Sequence, residues 1–121
     1  MAKDANNAEA LNALGYTLLN DAKRYHEAEK YLQRAIKLQP NEPAIMDSFG
    51  WLQFKLGNHL QAAKYLQAAY EKQNSGEIAA HLCEVLWATN KKEDAQKLFD
   101  EALKAAPEDA DLLDFKKRFL E

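Results

Sequence analysis

The sequence predicts an all-α fold, a right-handed superhelical solenoid of three helix-turn-helix repeats followed by a C-terminal capping helix. One column of alanines points to it, since Ala28, Ala62 and Ala95 recur at spacings of 34 and 33 residues. Several independent columns that share one period of about 34 residues indicate stacked copies of a single helical unit. Two further columns keep the same spacings: Ala35, Ala69 and Ala102, and Leu32, Leu66 and Phe99.

The composition is that of a folded, water-soluble domain. Of the 121 residues, 47% are hydrophobic and 29% are charged, and the net charge is −3. Acidic and basic residues are interleaved, so no basic patch favours a nucleic-acid partner. The single cysteine, Cys83, excludes an internal disulfide and leaves the redox compartment open. Because no apolar run could span a bilayer and residues 1–4 begin no signal peptide, we expect a cytosolic protein or a piece of a longer exported chain.

Prolines and turn residues divide the chain into its predicted parts. Pro40 and Pro107 end second helices, because proline disfavours helix at the preceding residue. The predicted parts are a disordered or frayed lead-in at 1–7, repeats at 8–42, 43–75 and 76–109, and a capping helix at 110–121. The predicted helices run from about Ala8 to Asn20, Tyr25 to Leu38, Pro43 to Leu56, His59 to Lys72, Glu77 to Thr89, Lys92 to Ala105 and Glu108 to Leu120.

Several helix starts carry a capping signal. Asn6 or Asn7 is available as the N-cap of the first helix. Pro43 suits the first turn of the third helix, where its missing N–H does no harm. Capping boxes are predicted where asparagine is followed three residues later by Gln or Glu, namely at Asn58 with Gln61 and at Asn90 with Glu93.

The stretch from Asp47 to Asn58 is the one around which the chain is organised. It is apolar on more than one side, which indicates a helix with neighbours on two faces. Gly50 costs about 1 kcal/mol relative to alanine inside a helix, so it marks a place where another helix comes close. Trp51 and Phe54 lie on a further face, where they are available to a partner.

Core residues are predicted three or four positions apart on each helix. The polar side of the last helix suits a cap, because a terminal helix must cover the last apolar face of a solenoid. The predicted inward residues include Leu11, Leu14, Gly15 and Leu18 on the first helix, Ala28, Leu32, Ala35 and Leu38 or Ile36 on the second, and Leu112, Phe115 or Lys116, Phe119 and Leu120 on the last, whose other side carries Asp111, Asp114, Lys116, Lys117 and Arg118.

These columns resemble the pattern of the tetratricopeptide repeat family over about residues 8–109. The departures are Cys83 where glycine is usual, one extra residue in the Asn20–Arg24 turn, and no proline near Asn74. The matching residues are Leu11, Leu14, Gly15, Leu18, Ala28, Leu32, Ala35 and Pro40 in the first repeat, Met46, Phe49, Gly50, Gln53, Ala62, Leu66 and Ala69 in the second, and Leu82, Leu86, Ala95, Phe99, Ala102 and Pro107 in the third.

A narrower resemblance concerns the cell envelope. The blocks 10–18, 44–51 and 77–87 are similar to the C-terminal repeats of long proteobacterial tetratricopeptide proteins, several of which are outer-membrane lipoproteins. At least one of those is an adaptor that brings a processing protease to cell-wall hydrolases. This resemblance implies a scaffold or adaptor fragment of a bacterial lipoprotein at the periplasmic face of the outer membrane; without it, we expect a cytoplasmic protein.

The family resemblance also implies a partner-binding groove on the first helices of the pairs. A row of aromatic side chains there favours a helix or an extended peptide with apolar anchors. The alternative is that some of these aromatics pack under the seventh helix or an adjacent repeat. The predicted site residues are Asn12, Tyr16 and Leu19, then Asp47, Ser48, Trp51 and Phe54, then His81, Glu84 and Trp87, with Ala13 and Ala80 at neighbouring lining positions.

Other chemistry is not predicted. The carboxylate clamp of some family members needs Lys, Asn and Arg at groove positions, whereas acidic residues near this groove would repel an acidic peptide. His81 and Glu84 could share a ligand, but Cys83 points elsewhere, so no metal site is expected. His26 and His59 are attributed to packing. We expect no catalytic residue and no cofactor. The hypotheses left open are a partner-binding module, a structural or self-associating segment using the aromatic groove, and an adjunct that delivers substrates to an envelope enzyme.

Overall fold

A computed structural model describes residues 7–121, so residues 1–6 of the lead-in predicted at 1–7 lie outside the described residues. The described part is all-α, as predicted. Asn7 Oδ1 accepts a hydrogen bond from the backbone N–H of Ala10 at 3.0 Å and so caps the first helix. The seven helices of this part are α1 Ala8–Leu18, α2 Tyr25–Leu38, α3 Pro43–Lys55, α4 His59–Lys72, α5 Gly76–Ala88, α6 Lys92–Ala105 and α7 Ala110–Phe115.

The helices form two layers. Each odd-numbered helix packs on the even-numbered helix that follows it, giving the pairs α1–α2, α3–α4 and α5–α6. Contacts between α1 and α3, between α3 and α5 and between α5 and α7 join the odd-numbered helices into one layer. The helix α7 therefore takes the place that the first helix of another pair would occupy. None of the helices in residues 7–121 is long and apolar enough to cross a membrane.

The repeated columns meet inside each pair. A Cβ added at Gly50 would lie 2.9 Å from Cγ of Leu66, a distance that side chains do not tolerate. At Gly15 the added Cβ would lie 2.5 Å from Cγ of Leu32 in the same way. Both leucines are fully buried. At both glycines the second helix of the pair thus comes too close to leave room for a side chain, as predicted for Gly50.

Two predicted caps are wrong. Asn58 makes no side-chain hydrogen bond to the start of α4; its Nδ2 donates instead to Oε1 of Gln53 at 2.8 Å. Asn90 adopts a φ of 65°, the left-handed conformation that asparagine tolerates, and the residue before α6 is Lys91. In both turns the asparagine closes the preceding helix. The structure does place Pro43 in the first turn of α3.

Some predicted helix ends and core positions also differ. The first helix ends at Leu18 rather than Asn20, and a 3₁₀ turn, Ala22–Arg24, accommodates the extra residue before α2. The last helix ends at Phe115 and continues as a π-helical turn, Lys116–Leu120. Leu14 was predicted inward, but it is 45% exposed. Of the two alternatives on α2, Ile36 packs against the core and Leu38 is 45% exposed. Leu14 lies on a side of α1 that no described helix covers.

Candidate functional site

One polar network joins the three helices α1, α3 and α5. Nδ1 of His81 on α5 lies 2.8 Å from Oδ1 of Asp47 on α3. Nε2 of the same ring lies 3.2 Å from the hydroxyl oxygen of Tyr16 on α1. The side chains of His81 and Asp47 are only 11% and 6% exposed. Each helix therefore supplies one member of a largely buried chain of hydrogen bonds.

The hydrogen bonds determine which ring nitrogen of His81 carries a proton. A carboxylate can only accept, so Nδ1 donates to Asp47. In the neutral imidazole Nε2 is then the acceptor, and the hydroxyl of Tyr16 donates to it.

An aromatic wall lies against the network. The rings of Trp51 and His81 stack with centroids 4.1 Å apart and planes at 19°. Phe54 stacks on Trp51 at 5.1 Å, and the ammonium group of Lys55 lies 4.8 Å from the Trp51 centroid. Trp51 is partly buried by these contacts. Its ring is thus held in one orientation, which lowers the entropy cost of using it in binding.

Two adjoining cavities open on the layer of odd-numbered helices. We call the larger, of about 350 Å³, the central cavity. The smaller, of about 210 Å³, is the side cavity, and Tyr16 lines both. The central cavity is lined by Tyr16, Leu19, Asn20, Tyr25, Trp51, Lys55, Ala80, His81, Glu84, Asp111, Asp114 and Arg118. The side cavity is lined by Asn12, Ala13, Tyr16, Ala44, Asp47, Ser48, Gln73, Ser75, Glu77 and Ile78.

The structure brings eight of the ten predicted site residues to these two cavities. Phe54 and Trp87 line neither of them. Phe54 packs between Trp51 and His59, with its centroid 5.0 Å from the His59 ring. The ring of Trp87 lies under α7, 6.1 Å from Phe115 and 6.0 Å from Phe119. The expected row of four groove aromatics is therefore interrupted, and the alternative of packing under the seventh helix describes Trp87.

Several lining residues come from α7 and from the π-helical turn that follows it, and they were not among the predicted site residues. Nη2 of Arg118 donates to Oε1 of Glu84 at 2.8 Å, and Nε donates to Oδ2 of Asp114 at 2.8 Å. Asp111 lies on the same side of the helix. The signal that could have placed them is the repeat itself, because Glu77 and Glu84 shifted by 34 positions give Asp111 and Arg118.

Two family models with the description "Tetratricopeptide repeat" match the sequence, one over residues 53–118 and the other over residues 8–42. The first alone covers more than half of the chain. The chain belongs to the tetratricopeptide repeat family. Members of this family are typically non-catalytic modules for protein–protein interaction.

Two relatives agree with this assignment. The chain is 45% identical over 84 residues to "TPR repeat-containing protein PA4667" of Pseudomonas aeruginosa, a match that covers 69% of this chain and 14% of the relative. It is 32% identical over 102 residues to "Tetratricopeptide repeat-containing protein trd-1" of Caenorhabditis elegans, covering 84% of this chain and 13% of the relative. The tetratricopeptide chain thus spans about one seventh of the length of these relatives.

A solved structure shows the same fold. The thermophilic tetratricopeptide protein TTC0263 of Thermus thermophilus superposes with a TM-score of 0.80 over 99% of this chain and 68% of that chain. The sequences are only 21% identical, so this similarity concerns the fold. It confirms the predicted fold class of tetratricopeptide helix pairs.

Environment alters two ionisable groups of this tetratricopeptide chain. Burial, and then the negative charges of Glu77, Asp47 and Asp111, raise the pKa of Tyr16. The Tyr16 hydroxyl therefore keeps its proton at physiological pH. Burial also raises the pKa of the Cys83 thiol to about 12. That thiol donates to the carbonyl oxygen of Ala95 at 3.5 Å, so Cys83 is an inert core group.

The two other histidines lie outside the cavities. His59 packs against Phe54, as predicted. The side chain of His26 is 94% exposed, so the prediction that packing explains it is wrong. Its position one residue into α2 points it to solvent, and Tyr25 takes the inner place. Sequence reasoning placed the aromatic position of that helix one residue too late.

The buried network supports a first prediction. Replacing Asp47 by alanine leaves the Nδ1–H of His81 without an acceptor, so we expect the free energy of unfolding to fall by about 1–3 kcal/mol. Asp47→Asn is the matched control, since its amide oxygen can still accept, and its loss should be smaller. Urea unfolding followed by circular dichroism measures both. Equal stability of Asp47→Ala and the wild type would show that the network contributes nothing to folding.

Proposed function

We propose that this chain is a non-catalytic adaptor module that holds a partner peptide or helix across the layer of α1, α3, α5 and α7. The observation that carries the proposal is the central cavity, whose walls include Tyr16, Trp51 and His81. Trp and Tyr are enriched among residues that dominate binding energies, and both rings are held in place here before any partner arrives. Small side chains at Ala13 and Ala80 leave space beside them.

The proposed organisation of the module follows the helix pairs. We infer repeats at 8–42, 43–75 and 76–109, with 110–121 closing the stack. Phe115 and Leu112 are fully buried against α5 and α6, which supports a covering role for α7. The same helix extends the binding surface through Asp111 and Asp114, and the π-helical turn after it adds Arg118.

The wider setting is that of an adaptor within a larger protein. The short span relative to its relatives supports a module of a longer bacterial chain. From the narrower resemblance we also propose a location at the periplasmic face of the outer membrane, with delivery of substrates to an envelope protease as the alternative role. The gene segment that encodes the residues before Met1 tests the location. A lipobox cysteine in that segment would support the periplasmic location. An upstream coding sequence without a signal peptide or lipobox would contradict it.

The binding proposal predicts a large effect at Trp51. Peptides are selected from a random library on the immobilised wild-type chain, and their dissociation constants are measured by fluorescence polarisation. Trp51→Ala should raise the constant by about 30-fold or more, since a hot-spot side chain contributes about 2 kcal/mol. Leu60→Ala is the control, because Leu60 is 78% exposed and lines neither cavity. It should change the constant by less than about 2-fold.

A second variant distinguishes loss of binding from loss of folding, since Trp51→Ala could weaken binding by unfolding the chain. Ala13 is exposed on α1 and lines the side cavity. Ala13→Gln adds bulk there without disturbing the core, so it should weaken binding while the melting temperature stays the same. If the peptides bind both groove variants as tightly as the wild type, the groove is not the binding site and the proposal is wrong.

A further inference from the structure

Carboxylates from three other helices line the two cavities that meet at Tyr16. Asp47 on α3, Glu77 on α5 and Asp111 on α7 are the carboxylates whose charge acts on its hydroxyl. Asn12, one turn before Tyr16 on α1, has a buried Oδ1 that accepts no hydrogen bond from a described residue, and it lines the side cavity. The set has many acceptors and few donors. An occupant that supplies donors would satisfy it.

The cations near this set are already engaged. Arg118 donates to both Glu84 and Asp114. The hydrogen bond to Glu84 raises the pKa of its guanidinium, and this effect outweighs burial, which lowers it. The Lys55 ammonium lies over the Trp51 ring at 4.8 Å. Within residues 7–121, neither Glu77 nor Asp111 forms an ion pair. These two exposed carboxylates therefore keep their charge available to an incoming group.

The excess of negative charge is concentrated at the two cavities. Five carboxylates and two cations line them, whereas the whole chain has 19 acidic and 16 basic residues. The local excess of three thus equals the net charge of −3 of the entire chain. Clefts lined by one sign of charge focus the field and favour ligands of the opposite sign. Like charge on the ligand would be repelled.

We propose that the segment held in the groove carries a lysine or arginine that enters beside Tyr16 and faces Glu77 and Asp111. This inference rests on the proposed function and names the chemistry of the partner. A cation there lies beside the Tyr16 ring and gains the charge of the two carboxylates. Apolar residues of the bound segment on either side of the cation pack against Trp51 and fill the space next to Ala80.

The experiment uses the peptides selected on the wild-type chain. Their sequences are compared with the unselected library for lysine and arginine content. The most enriched peptide is then synthesised with its cation and with glutamine at that position. Both are titrated against the wild type, against Glu77→Gln/Asp111→Asn, and against Glu93→Gln/Glu108→Gln. The last variant removes two exposed carboxylates outside the cavities and so matches the change in net charge.

We expect enrichment of lysine and arginine. For the cationic peptide, Glu77→Gln/Asp111→Asn should raise the dissociation constant by about 10-fold or more. The control, Glu93→Gln/Glu108→Gln, should change it by less than about 2-fold. The glutamine peptide should bind the wild type and the groove variant equally. Circular dichroism of each variant checks that the fold is retained.

Three results would overturn the inference, and they are distinguishable. Selected peptides that depend on Trp51 but show no enrichment in cations would contradict this inference and leave the proposed function standing. Equal weakening by the groove and control variants would mean that only the long-range charge acts. If no selected peptide depends on Trp51 or Ala13, the proposed function fails, and this inference fails with it.

Discussion

Phe115→Ala is expected to lower the free energy of unfolding by about 3–5 kcal/mol, the range for removing a buried aromatic ring. Phe115 is completely buried on α7. Its ring lies 5.8 Å from Phe99 on α6 and 6.1 Å from Trp87 on α5, so it joins the last helix to both members of the third pair. Truncation leaves a cavity between three helices, and the short helix α7 has few other contacts with which to close it.

Leu113→Ala is the matched control for this prediction. Leu113 lies two residues earlier on the same helix and is 42% exposed, so its loss should cost less than about 1 kcal/mol. Urea unfolding of both variants, followed by circular dichroism and by tryptophan fluorescence, gives the comparison. Equal midpoints for the two variants would show that α7 does not cap the solenoid through Phe115.

Leu66→Ala is expected to lower the free energy of unfolding by about 2–5 kcal/mol. Leu66 is fully buried on α4 and faces Gly50 on α3. The reverse change, Gly50→Ala, should also destabilise, because the new Cβ would lie 2.9 Å from Cγ of Leu66 and 3.1 Å from Cβ of Tyr65. Overpacking of this kind costs about 1–3 kcal/mol, which exceeds the gain of about 1 kcal/mol in helix propensity.

The two changes should compensate each other. In a Leu66→Ala background the Cγ contact no longer exists, so Gly50→Ala keeps its propensity gain without most of the clash. The double variant is therefore expected to be more stable than Leu66→Ala alone. A double-mutant cycle by urea unfolding measures this coupling. Additive effects of the two substitutions would show that Gly50 and Leu66 do not determine the helix spacing.

The fold was predictable because its information is repeated. Three copies of the alanine and leucine columns report the same contacts, so an irregular position such as Cys83 does not hide the period. Caps carry no such redundancy. Asn58 has several partners within reach, and the amide of Gln53 competes with the helix end. Leu14 follows the column perfectly, yet it is exposed, since the pattern records which face is apolar and not whether a neighbour covers it.

The candidate site was predictable in part. Family positions led to Tyr16, Asp47 and His81, but the bonds between them join residues 34 and 65 positions apart, which no local spacing reveals. Trp87 sits at a lining position and is nevertheless covered, because α7 packs over it. Extending the period once more would have placed α7 at the groove. The sequence-based prediction treated α7 only as a cap and therefore placed its charged residues in solvent.

The two tryptophans provide the most direct test of the groove, since the chain contains only Trp51 and Trp87. Their indole N–H signals are followed by ¹⁵N-labelled NMR while a library-selected peptide is added. Binding between α1, α3 and α5 should shift the Trp51 signal strongly and the Trp87 signal, under α7, only slightly. A shift confined to Trp87, or no shift of either signal at saturation, would place the peptide elsewhere and contradict binding in the groove.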